Sequence, residues 1–234
     1  MKFVFTSEHG GNIIPEKYQS SFVNANAALN SHRGIDYGSQ DLFLFCKSLS
    51  DFSKSNTVSR LLIELNRSKH HPKLFSEFSD SFKIEDKAVL ISEFYDPYRD
   101  NVEAEILRLI KKGEEVIHIS FHSFTPVLNG DIRKTDIGIL YDPSRKAEKS
   151  FSGQLKQNLK AELPDFRIRY NYPYLGTADG FTTYLRNKFP ENYAGIELEI
   201  NQKFVENENY FPLELKSAIF HALYKLKNTL DFKS

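Results

Sequence analysis

The residues able to do chemistry fall in short clusters, and the first is "TSEHGGNIIP" at residues 6 to 15. An acid, a histidine, two glycines and an asparagine follow the apolar run "KFVF", where a first strand should be ending. His9 carries a ring nitrogen that a divalent cation accepts, although a glycine turn holding a histidine has the same composition. A second cluster is "EVIHISFH" at 115 to 122. Alternation puts His118, Ser120 and His122 on one face of that strand, with His122 nearest its end. In "AGIELEI" at 194 to 200, Glu197 and Glu199 also share a face. Buried carboxylates need partners, a metal or a raised pKa; an edge strand with a wet face is the plainer alternative. Histidines at the ends of two strands and a carboxylate pair on another describe a metal site. Zinc takes imidazole nitrogen and carboxylate oxygen, and its catalytic sites keep three protein ligands plus a water. Glu199, nearer the strand end, is placed to act as general base on that water.

Asn66 and Arg67 close the apolar run "VSRLLIEL" at 58 to 65. An arginine there offers a planar fork to a substrate carboxylate, and asparagine adds a neutral donor and acceptor; pairing of Arg67 with Glu64 is the structural alternative. In "HRGIDYGS", Asp36 either caps the next helix or reaches the metal, and His32 stays open with it. His70 and His71 lie in a polar loop and read as solvent-facing.

These clusters need elements to position them. "KFVFT" (2 to 6), "VSRLLIEL" (58 to 65), "EVIHISFH" (115 to 122), "DIGILYD" (136 to 142), "FRIRYN" (166 to 171) and "AGIELEI" (194 to 200) read as strands. Helices are predicted over 38 to 52, 98 to 112, 147 to 162, 178 to 188 and 212 to 230, and 66 to 97 reads as a long binding loop or lid. The alternation predicts an α/β fold in one domain, 1 to 234, with helices covering a mostly parallel or mixed sheet. In such sheets function collects beyond the carboxyl ends of the strands, where these polar residues fall.

With 31 basic and 31 acidic residues the chain has no net charge to draw nucleic acid or an anionic membrane. The single cysteine, Cys46, excludes an internal disulfide framework and suits a reducing compartment. No secretory leader and no run of ~20 apolar residues is read, so a cytoplasmic location is expected.

"SEHGGNIIP", "HRGIDYGS", "SRLLIELNRS", "SFHSFTPVLNGDIR", "NYPY" and "IELEINQ", in that order over residues 7 to 202, resemble the N-formylglutamate amidohydrolase family. The resemblance implies a three-layer fold similar to zinc-dependent exopeptidases and to the aspartoacylase and succinylglutamate desuccinylase group. It implies a zinc enzyme cleaving a small carboxylated N-acyl amino acid such as N-formylglutamate. His9 and His122 match histidine ligands and Glu199 the catalytic glutamate, while Asn66 with Arg67 match a substrate-binding pair and Arg133 is a further carboxylate-holding candidate. Asn12 stands where the relatives' His-x-x-Glu motif has glutamate, so the third ligand lies among Asn12, Glu8 and Asp36. A metal-dependent peptidase or amidase on a larger, for example cell-wall, peptide and a non-catalytic carboxylate-binding relative are the alternative readings.

Overall fold

Two nine-residue strands carry the site, and their alternation decides which side of the molecule it occupies. In a computed structural model describing residues 1–207 and 209–231, the strands are β1 (Lys2–Ser7), β2 (Phe52–Ser55), β3 (Val116–Phe124), β4 (Val127–Leu128), β5 (Asp131–Ile132), β6 (Ile137–Leu140), β7 (Ile168–Tyr170) and β8 (Tyr193–Asn201). The helices are α1 (Asn26–Leu29), α2 (Ser39–Cys46), α3 (Ile84–Leu90), α4 (Asp96–Lys111), α5 (Lys146–Glu162), α6 (Phe181–Lys188) and α7 (Leu213–Asp231). Ile117, Ile119 and Phe121 of β3 and Ala194, Ile196, Leu198 and Ile200 of β8 point into one core, filled by Leu42 of α2, Leu155 of α5 and Ile219 of α7. The opposite face of the sheet packs on Val102 and Ile106 of α4, Phe181 and Leu185 of α6, and the segment Leu61 to Leu65. His118, Ser120, His122, Glu197 and Glu199 belong to that second face by alternation.

The sheet runs β2-β1-β3-β8-β6-β7. β1 is parallel to β2 and β3, and β3 to β8; β6 is antiparallel to β8 and parallel to β7. The expected mixed, mostly parallel sheet flanked by helices is therefore the observed architecture. β4 and β5 form a separate antiparallel hairpin beyond β3. Parallel strands buried on both faces run apolar throughout unless something polar is required, which makes the second face of β3 and β8 unusual. Among the described residues no helix is long and apolar enough to cross a membrane.

The structure departs from the expected elements in three places. Residues 58–65 form turns instead of a strand, touching the extended structure only through a bridge between Ile13 and Val58. A short buried apolar run has no period that separates strand from buried turn, and here Ser59 bends the chain. Its carbonyl accepts from Leu62 N at 2.9 Å, and its hydroxyl donates to Gly34 O at 3.0 Å. The second strand is instead β2, "FSKS", within and beyond the tail of the predicted helix 38 to 52, which stops at Cys46. A four-residue, half-exposed edge strand leaves almost no hydrophobic pattern to read. Helix also begins earlier than 98: α3 runs through a π-turn (Ile91–Tyr95) into α4. That turn sits just before Pro97, whose missing N–H a regular ladder would not accommodate.

Candidate active site

His9 leaves the end of β1 on a turn that two glycines allow. A Cβ at Gly11 would collide with the carbonyl of Thr57, so the chain could not lie this close with any other residue. The His9 carbonyl accepts from Asp36 N at 3.0 Å, which ties the loop before α2 to the strand end and brings the Asp36 carboxylate inward. His122 is supplied by β3 and sits in register with Glu199 of β8, as Ser120 does with Glu197.

The result is a buried cluster. His9 Nδ1 lies 3.2 Å and His122 Nδ1 2.9 Å from the same oxygen, Asp36 Oδ2. One donor atom from each of the three lies within 4.8 Å of the others, the convergence a single cation needs. Asn12 is not among them: its amide donates to Leu29 O at 3.2 Å and to Asn30 Oδ1 at 2.9 Å. Glu8 lies behind His122, accepting from Ser120 Oγ at 2.5 Å and Tyr98 OH at 3.1 Å, with His122 Nε2 at 3.2 Å.

Arg60 and Glu64 complete the cluster. Arg60 pairs with Asp36 Oδ1 at 3.2 Å and with Glu64 Oε2 at 2.5 Å, and Glu64 Oε1 is 2.5 Å from His9 Nε2. Glu64 thus pairs with Arg60 and His9 and not with Arg67. The signal for them was present: two opposite charges four apart inside the apolar "SRLLIEL".

Charge decides what the cluster can hold. Glu8, Asp36 and Glu64 are three buried carboxylates against one guanidinium, Arg60, which leaves two negative charges if both imidazoles are neutral. Burial opposes charge on all three carboxylates. For Glu8 the His122 imidazole overcomes it, for Asp36 the His9 and His122 imidazoles, and for Glu64 the Arg60 guanidinium, so each sits well below the usual carboxylate range. Burial likewise opposes charge on His122, yet Asp36 and Glu8 lift its pKa well above normal. Such a pocket asks for two positive charges, from protons or from one divalent cation.

Glu199 differs from the other acids. Burial, with Asp36 and Glu197 adding to it, pushes its carboxyl up to about 8 against the opposing pull of His122 and His9. Its Oε2 is buried and has no hydrogen-bond partner among the described residues. Close packing enforces this position, since a Cβ at Gly138 of β6 would lie 3.2 Å from Glu199 Cβ and collide with Tyr172 O.

The cluster opens into a cleft of about 380 Å³ lined by His9, His32, Asp36, Arg60, Asn66, Arg67, His122, Tyr174, Asp179, Glu197 and Glu199, among others. Asn66 Oδ1 accepts from Phe181 N at 2.8 Å, at the start of α6, which leaves its amide as the donor for a ligand. The Arg67 guanidinium donates to the carbonyl of Asp179. Arg133 stands outside the lining but behind it, donating to Tyr174 OH at 3.2 Å and stacked over the Tyr174 ring at 5.2 Å. Among the described residues neither arginine pairs with a carboxylate. Of the residues read from sequence, the structure gathers His9, His122, Asp36, Glu199, Asn66 and Arg67 around one cleft and leaves Asn12 apart.

No curated protein matches the chain. Among solved structures, a gene product from Agrobacterium tumefaciens is similar with a TM-score of 0.77 and 21% identity, covering 98% of this chain and 92% of its own. An N-formylglutamate amidohydrolase from Ralstonia eutropha is similar with a TM-score of 0.73 and 14% identity, covering 100% of this chain and 95% of its own. At these identities the likeness speaks for the fold. The family model described as FGase, N-formylglutamate amidohydrolase, matches residues 1–205, and so most of the sequence. On that match the chain belongs to the N-formylglutamate amidohydrolase family.

Proposed function

We propose that the protein hydrolyses the amide bond of a small carboxylated N-acyl amino acid, N-formylglutamate first among them, with one divalent cation, zinc first, held by His9, Asp36 and His122. One observation carries the reading: three donors with a deficit of two positive charges converge beside an acid with a raised pKa and an unpartnered oxygen. The donor set fits zinc, whose catalytic sites use histidine and carboxylate and keep one position open. Bound there, the cation would polarise the amide carbonyl and acidify water.

The protein's own residues do the rest. Glu199 takes the proton of the attacking water and passes it to the departing amine, a role that suits a carboxyl whose pKa lies near neutrality. Arg67 and the Asn66 amide anchor the amino-acid carboxylate and fix its distance from the cluster. Arg60, whose side chain is 24% exposed at the cleft, places a guanidinium beside the point where negative charge develops on the carbonyl oxygen. Arg133, outside the lining, braces Tyr174 at the lip of the cleft. A cleft of about 380 Å³ suits an amino-acid-sized ligand.

Metal analysis of the purified protein, joined to a panel of N-formyl, N-acetyl and N-succinyl amino acids and short peptides, tests this. Stoichiometric metal and turnover of the small acyl amino acids, lost on chelation and restored by zinc, are expected. Full activity after chelation would remove the mechanism. Turnover of peptides alone would favour a peptidase, and metal-free binding of carboxylates without turnover a non-catalytic relative.

A further inference from the structure

Each imidazole has two nitrogens, and the structure gives them different surroundings. His9 and His122 both turn Nδ1 to Asp36 Oδ2. Both turn Nε2 to a second carboxylate: Glu64 Oε1 at 2.5 Å for His9, and Glu8 Oε2 at 3.2 Å for His122. The Ser120 hydroxyl adds to the second pair, 2.8 Å from His122 Nε2 and donating to Glu8 at 2.5 Å. Segments far apart in sequence have built the same arrangement twice. The Glu8 side chain is fully buried and that of Glu64 is 6% exposed. Neither lines the cleft. Buried carboxylates that touch no ligand are costly, and here their shared feature is an imidazole Nε2.

We propose that Glu8 and Glu64 are positioning residues that hold His122 and His9 through Nε2, so that both imidazoles offer Nδ1 to one divalent cation shared with Asp36. The inference rests on the metal reading of the site. A carboxylate accepting from Nε2–H fixes the tautomer and ring orientation and raises the basicity of Nδ1. Each carboxylate has its own support. Glu64 is gripped by Arg60 and accepts from Asn66 N at 2.9 Å, and Glu8 is held by Tyr98 OH from α4. The Asn66 contact also links the orientation of His9 to the residue that meets the substrate.

The test is the ligation state of the zinc-loaded wild-type protein, read by nitrogen-15 NMR of labelled histidine. Both His9 and His122 are expected to show Nδ1 bound to metal and Nε2 protonated. Ligation of either through Nε2 would overturn the proposal whatever the variants do. Glu8→Gln and Glu64→Gln, which keep size and remove charge, are each expected to weaken zinc affinity by roughly 10- to 100-fold in a chelator competition. Affinity unchanged in folded variants would also overturn it. A wild-type protein that binds no zinc would instead defeat the metal reading itself.

Discussion

His118 and His122 lie on the same strand, on the same face, both buried, four residues apart, yet their surroundings make them chemically opposite. Toward the start of the strand His118 is held between two hydroxyls, with Thr6 Oγ1 at 2.8 Å and Tyr193 OH at 2.7 Å. Burial, reinforced by Arg186 and His122 and only partly countered by Glu8, pushes its pKa down to about 4. At the strand end His122 is held between two carboxylates, and its pKa rises. A hydroxyl both donates and accepts, so it satisfies a neutral ring and asks for nothing further. A pair of carboxylates only accepts and requires positive charge. The first histidine is structural, and the second stands where positive charge is required, as the proposed cation site needs.

The difference between the two rings should show most strongly in metal binding. Asp36→Ala or His122→Ala is expected to weaken zinc binding by about 1,000-fold or more, whereas His118→Gln leaves the metal stoichiometry at the wild-type value. Equilibrium dialysis with metal analysis checks both, and equal losses at the two histidines would mean that the two rings do not differ as ligands.

The next effect is on stability in acid. His118 has a folded pKa of about 4 against an ordinary 6.5, so the unfolded chain binds the proton first as pH falls. Its contribution is full above about 6.5 and is lost between about 6.5 and 4, amounting to about 3 to 4 kcal/mol at ~1.4 kcal/mol per pKa unit. Urea unfolding at pH 7 and pH 4, wild type against His118→Gln, should show the acid-induced loss shrink by that order in the variant. An unchanged difference between the two pH values would mean that the ring is not held neutral.

Glu199→Gln should lower turnover by at least ~100-fold while zinc stays bound, the usual scale of acid–base catalysis. A near-normal rate would hand the role to Glu197, whose Oε1 accepts from Thr182 Oγ1 at 2.7 Å. The smallest effect is expected from Arg67→Ala, about a tenfold rise in KM for carboxylated substrates with kcat little changed, of the order of one charge-assisted hydrogen bond. An equal loss on an uncharged amide would point to a disturbed fold.

Much of the scaffold was legible because it rests on period. The alternation in "HISFH" and "IELEI" put His118, His122, Glu197 and Glu199 on single faces, and the register of β3 with β8 then set His122 beside Glu199. Helical spacing located α4 to α7 to within a few residues, apart from the early start through α3. The edge strand β2 and the turns at 58–65 were not legible. The former has too few apolar residues for a pattern, and the latter has a strand-like composition whose bends are made by contacts with Gly34 and Leu74.

Which residues share a strand face and which lie at a strand end can be read from residue order alone, because alternation and helical repeat are local properties of the backbone. That Asp36, not Asn12, meets the two histidines, and that Arg60 and Glu64 stand behind them, follows from the folded chain. Those residues lie on irregular loops, 24 to 86 positions from the histidines and the carboxylate they meet. Loops have no period from which to infer direction; where their side chains point is set by the packing of the whole chain.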